Sequence, residues 1–381
     1  TPSRSHIVRR ARPGRSREKR KMAKLYDAVR SNSLEIVKDL LQAGEDPNEN
    51  LALPALTSFR SADKKIPSNV WFASSGLGHG ESASLSLIHD ESGSFGFSFA
   101  GSKPTRPASK MLSDTKGRLE WMDANQIDRQ VIGGWLDMFG YELPVDEGQC
   151  WATMINEHLG QFCAENDRFL PLASLPMQNG IAAATVLDQA HQNGFKGAMI
   201  GTQPKGKGGV LDDPELTPFW ESAHRNGSVL FIHPVFDSGD DRVNDYGMNN
   251  AIGRITDTLI AISRIIYSGH VETYHNAKIV IGIGGSALPY VLGRMMRNYN
   301  LHKDTLADPS KALSMLYYDT LLHDPDALAF LIRAVGIDRI MLGSDMPFPI
   351  GDPSPLTVLE ELDITDRNKL VNGVASQLFG L

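Results

Sequence analysis

Seven strand-like apolar runs predict that most of this chain is an α/β protein built as a closed (β/α)8 TIM barrel. Each run ends in small or polar residues, and amphipathic helices alternate with them. The runs are QIDRQVIGGW, FLPLASLPM, FKGAMIGTQ, SVLFIHPVF, AKIVIGIGG, SMLYYDTLL and RIMLGSDMPFP. They are nearly continuously apolar, as strands covered on both faces must be, whereas a half-exposed antiparallel sheet would alternate. Two connecting helices carry clear punctuation. One spans Gly180 to Asn193 and stops at Asn193-Gly194; the other opens with Asp213 as N-cap and Pro214 at the first position, and stops at Asn226-Gly227. The barrel is expected over residues 118–381. Its first strand must then lie before Gly117, and NVWFASSG, Asn69 to Gly76, is the segment chosen for it.

The remaining third is less regular. Residues 1–21 are almost all Arg, Lys, Ser, Gly and Pro, in a chain whose net charge is -7. Such a tail is read as disordered and solvated; a nuclear or nucleic-acid address is the alternative, and a start mis-assigned upstream of Met22 would also explain it. Residues 22–50 contain KLYDAVRSNSLEIVKDLLQAGEDPN, a helical pair that looks like one ankyrin repeat, although a solenoid unit needs neighbours to bury its apolar face. Residues 51–117 are rich in Ser, Gly and Pro, with short strand-like pieces, among them SASLSLIHD.

Composition narrows the class. At 381 residues and 41% hydrophobic there is ample material for a large core. No apolar run approaches membrane length, and the basic start from Arg4 to Lys21 has no apolar stretch behind it. A cytoplasmic protein with neither membrane nor nucleic-acid partner is expected. Cys150 and Cys163 form neither a disulfide framework nor a metal-binding pair, and are read as buried thiols.

In a barrel the chemistry sits at the C-terminal strand ends. That rule selects Gln203, Lys205, His233, Ile283, Asp319 and Asp345. A lone strand-end histidine is more often a satisfied core residue than a ligand, so His233 is ambiguous by itself. Asp345, between apolar runs, needs a cation, hydrogen bonds or exposure. Two glycine-rich stretches are near misses. GIGGSA, Gly282 to Ala287, fits the dinucleotide pattern but lacks the second strand with its acid some twenty residues on. GTQPKGKG, Gly201 to Gly208, has phosphate-loop spacing, yet Gly208 stands where Ser or Thr should meet Mg²⁺. Lys205 and Lys207 remain as groups for an anionic substrate.

FIHP, GGSALPYVLGR, YYDT followed by HDPDAL, and LGSDMPFPIGDP, together and in order, resemble the amidohydrolase-related family typified by aminocarboxymuconate semialdehyde decarboxylase. The resemblance covers about Arg118 to Leu381. It implies a barrel of the metal-dependent hydrolase type and a divalent metal, zinc before manganese or iron. It also implies a decarboxylase or hydrolase reaction on a small carboxylated or aromatic compound. On matching positions, His233 becomes a metal ligand, and Asp345 a metal ligand and proton carrier. Lys205 becomes a candidate for holding a substrate carboxylate, and Arg294 a structural residue well into its helix. The resemblance suggests a homodimer.

The chain departs from the family's pattern twice. Ile283 stands where the family's His-Gly-Gly has its histidine, and the His-x-His pair of the first strand occurs nowhere; His79 and His89 are the histidines nearest that region. Catalytic zinc takes three protein ligands, and two are in view. The alternative reading follows: a catalytically degenerate barrel, either a pseudoenzyme or the non-catalytic subunit of a heteromer with an intact paralogue.

Overall fold

The computed structural model describes residues 85–89, 95–360, 362 and 364–381. The basic tail, the ankyrin-like pair, NVWFASSG and His79 lie outside them. All seven expected barrel strands are present. They are β3 (Gln130–Ile132), β4 (Phe169–Pro171), β5 (Gly197–Gly201), β6 (Val229–His233), β7 (Lys278–Ile281), β8 (Tyr317–Asp319) and β9 (Ile340–Met341). Every neighbouring pair is parallel and the spatial order is the sequence order. A bridge between Ala173 and Ala198 joins β4 to β5, with the Ala173 N–H on the Gly197 carbonyl and the Met199 N–H on the Ala173 carbonyl, each at 2.9 Å. Among the described residues no strand pairs with the outer edge of β3 or of β9. SASLSLIHD does form a strand, β1 (Leu85–His89), but it pairs with β2 (Phe95–Phe99) as an antiparallel hairpin apart from the parallel sheet.

Helices cover the outside of the strands as predicted. Asn179 caps the helix Gly180–Gln192 by accepting from the N–H groups of Ile181 and Ala182. Asp213 accepts from Glu215 N–H ahead of the helix Thr217–Asn226, which ends on left-handed Gly227 at φ 62°. The Asp213 cap and the Gly227 stop read in the sequence are those used, whereas the Asn179 cap was not among the signals read; each satisfies backbone groups that the helix ends leave unpaired.

Side-chain alternation divides the core in two. Leu230, Ile232, Ile279, Ile281, Tyr318 and Ile340 point outward and pack with Trp220, Ile262 and Leu288 from the helices. Val229, Val280, Tyr317 and Met341 point inward, with Phe231 and Met199, onto Val374 and Phe379 from the C-terminal helix. His233 follows Val229 and Phe231 by steps of two, and Asp319 follows Tyr317, so both side chains point to the inside.

The β5–β6 approach sets this register. A Cβ on Gly197 would lie 1.8 Å from the Val229 carbonyl oxygen, so only glycine lets the strands close and places Gly201 opposite His233. Gly197→Ala is expected to cost roughly 3 kcal/mol, the upper end for overpacking, read as a lower urea midpoint with an unchanged m-value.

Candidate functional site

The strand ends open into a cavity of about 1340 Å³ whose walls include Met199, Phe231, His233, Gly282, Ile283, Asp319, Leu322, His323 and Asp345. The Nδ1–H of His233 donates to the Pro234 carbonyl at 2.8 Å, which settles the tautomer and leaves Nε2 as a lone-pair nitrogen. Burial lowers its pKa to about 4, and the charges of Arg254 and Arg106 push the same way; only the bond to Pro234 opposes. His233 is therefore a neutral imidazole at physiological pH.

Asp319 is buried and occupied. It accepts from Gly284 N–H at 2.7 Å and from Ile283 N–H and Leu321 N–H at 3.2 Å each. Those bonds hold a turn in which Ile283, Gly284, Gly285, Ser286 and Ala287 all have positive φ, from 48° to 84°. The left-handed region is rare for a β-branched residue such as Ile283. Burial nonetheless outweighs the three bonds and raises the carboxyl's pKa. Asp345, itself left-handed at φ 51°, is pushed up to about 6 by burial and by the neighbouring Asp319, against the pull of Arg254 and His323.

The other strand-end candidates serve the scaffold. The Gln203 amide donates to Asp257 at 2.9 Å, and its carbonyl accepts the Gly208 N–H at 2.8 Å, pinning the loop that resembled a phosphate loop. Lys205 pairs with Asp213 at 2.7 Å and with Glu215, and it does not line the cavity. Arg294 is exposed on the helix Leu288–Leu301, away from the mouth. His89 closes β1 in the hairpin.

Two arginines that sequence reasoning passed over meet at the Phe236 ring, and of the two Arg254 lines the cavity. Arg106 forms a two-pronged pair with Asp137, at 2.9 and 3.2 Å. Its guanidinium lies 4.3 Å from the centre of the Phe236 ring, and that of Arg254 lies 5.4 Å from the same ring. Arg254 continues without a break from the π-helical turn Asn249–Gly253 into the helix Arg254–Tyr267. Looking at strand ends alone hid both arginines.

The expectation of a divalent zinc, manganese or iron cofactor, and with it of a metal-dependent decarboxylase or hydrolase, is corrected here. Among the described residues no group of three or more His, Cys, Asp and Glu side chains is placed to hold a metal ion. His233 and Asp345 are two donors, Asp319 accepts three backbone N–H bonds, and Ile283 offers none. A catalytic metal needs three.

The family model described as Amidohydrolase matches residues 142–381. The chain belongs to the amidohydrolase family. It is 32% identical over 278 residues to the 2-amino-3-carboxymuconate-6-semialdehyde decarboxylase of Dictyostelium discoideum, an alignment covering 70% of this chain and 77% of the relative. It is 26% identical over 292 residues to the gamma-resorcylate decarboxylase of Rhizobium sp. (strain MTP-10005), covering 71% and 89%. The solved structure of 5-carboxyvanillate decarboxylase from Sphingomonas paucimobilis matches with a TM-score of 0.67 at 26% identity, over 73% of this chain and 87% of that one. The resemblance carried by FIHP, GGSALPYVLGR and LGSDMPFPIGDP is thus borne out. The seven strands are those of an amidohydrolase barrel.

The two perturbed groups give opposite pH limbs. A raised carboxyl pKa favours the fold below the ordinary value, and that contribution is lost as pH rises from 3.8 through about 6. The depressed His233 contributes above 6.5, and its contribution is lost as pH falls through about 4. Asp345→Asn is accordingly expected to stabilise the protein at pH 7 by roughly 1–3 kcal/mol, a gain that vanishes near pH 4. Urea melts across that range check it. Asp319→Ala strips the acceptor from three N–H groups and is expected to cost on the order of 3 kcal/mol in the same melts.

Proposed function

We propose that this chain is a catalytically degenerate amidohydrolase: a barrel that has lost the metal-dependent reaction and retains its interior as a binding pocket for a small organic carboxylate. The observation that carries the reading is the donor set. His233 and Asp345 stand at the strand ends without a third ligand among the described residues, and the apolar Ile283 occupies the position where the family's pattern has an imidazole. An isoleucine dries its surroundings and takes no proton, so it does not substitute for a base.

The ligand class is suggested by the relatives, whose names are those of decarboxylases acting on carboxylated compounds. The cavity agrees with it, being large, mostly apolar in its walls and lined by a few polar groups. A non-catalytic subunit of a heteromer is the variant of this reading in which the same pocket answers to a partner with an intact site. The free thiols of Cys150 and Cys163 fit the reducing conditions of the cytoplasm.

Metal content decides the matter. The full chain, purified without a metal-binding tag, is expected to carry a zinc, manganese and iron total near zero per subunit by plasma mass spectrometry, before and after incubation with each metal followed by dialysis. A ratio near one would overturn the reading.

A further inference from the structure

Arg254 is only 8% exposed, yet among the described residues no carboxylate lies within ion-pair distance of it. Its Nη1 donates to the Asn250 side chain at 2.6 Å, while its Nε is buried without an acceptor. Arg106, the neighbouring cation, is already satisfied by Asp137. A buried guanidinium lacking a counter-ion is costly, because its lost hydration is not replaced. The residue lines the cavity at the mouth and its charge reaches both His233 and Asp345. Asp137 and Asp345 act on it at longer range, and neither supplies the direct acceptor that its buried Nε lacks.

We propose that Arg254 anchors the carboxylate of a small monocarboxylic acid with a flat apolar body, such as an arene carboxylate. It would supply the positive charge that metal-dependent relatives draw from an ion. The proposal rests on the binding-pocket reading above and names the group that holds the ligand.

Three features select that chemistry. A guanidinium presents parallel N–H donors that match a carboxylate's two oxygens. The walls beside it, Trp135, Met199, Phe231, Leu322 and Phe348, suit a ring. Asp319 and Asp345 line the same cavity, so a dianion such as phosphate brings a second charge that Arg254 alone does not neutralise.

The test is calorimetry on the full chain after dialysis against a chelator, with benzoate, benzamide and inorganic phosphate as probes. Benzoate is expected to bind, to weaken by about tenfold or more in Arg254→Met because charged hydrogen bonds are lost, and to recover in part in Arg254→Lys. Benzamide should be indifferent to the substitution, and phosphate should give no heat. Equal benzoate affinity in wild type and Arg254→Met would overturn the proposal, as would no benzoate binding by the folded wild type, or phosphate binding as tight as benzoate.

A thermal melt without ligand is the second readout. Arg254→Met should melt no lower than wild type, since an uncompensated buried charge is removed; a clear drop would reveal a structural pairing and count against the anchor. The metal ratio separates this inference from the one it rests on: a ratio near one sinks the degenerate reading, whereas the benzoate comparison in chelator-treated protein judges Arg254 by itself.

Discussion

Burial on both faces of a parallel sheet is the constraint from which the rest follows. It demands strands that are apolar at every position, and it assigns alternate residues to the helix layer and to the barrel interior. Once Gly197 lets β5 close on β6, the inward row Val229, Phe231, His233 is set, and Tyr317 to Asp319 repeats the arrangement on β8. The polar strand-end groups then sit at the top of a dry interior. Their protonation follows from that placement: His233 is kept neutral, and Asp319 and Asp345 are both pushed toward the neutral acid.

The β7 end shows how one buried acid is spent on architecture. Asp319 gathers the N–H groups of Ile283 and Gly284, and so holds a run of left-handed residues in place, including a β-branched one. A backbone conformation that isoleucine disfavours persists because the carboxylate over-determines it. With Ile283 beside it, the mouth has two carboxyl groups, a neutral imidazole and a guanidinium whose Nε finds no acceptor among the described residues, where the family's pattern would gather a cation.

Much of the barrel was legible in the sequence because its signals are local. Strand length, the helix cap at Asp213, the stops at Asn193 and Gly227, and the order of the seven β/α units depend on neighbours within a few residues. The first strand was not legible in that way: a short Ser- and Gly-rich stretch carries little periodicity, and SASLSLIHD, though a strand, belongs to a separate hairpin. The candidate site was half legible. The strand-end rule found His233, Asp319 and Asp345. It also returned Gln203 and Lys205, whose partners Asp257, Asp213 and Glu215 come from other segments.

The sequence by itself determined the family, the strand order, and the shortage of metal donors, since the isoleucine at 283 and the absence of any His-x-His pair are properties of the chain as written. Tertiary structure alone decided which charges meet. It bound Arg106 to Asp137, tied Lys205 down away from the mouth, turned Asp319 onto backbone N–H groups, and left Arg254 buried with no ion-pair partner among the described residues. The physical reason is range: caps and strand patterns act over a turn or a pleat, whereas desolvation and Coulomb interactions depend on what residues far apart in the chain bring to the same few ångströms.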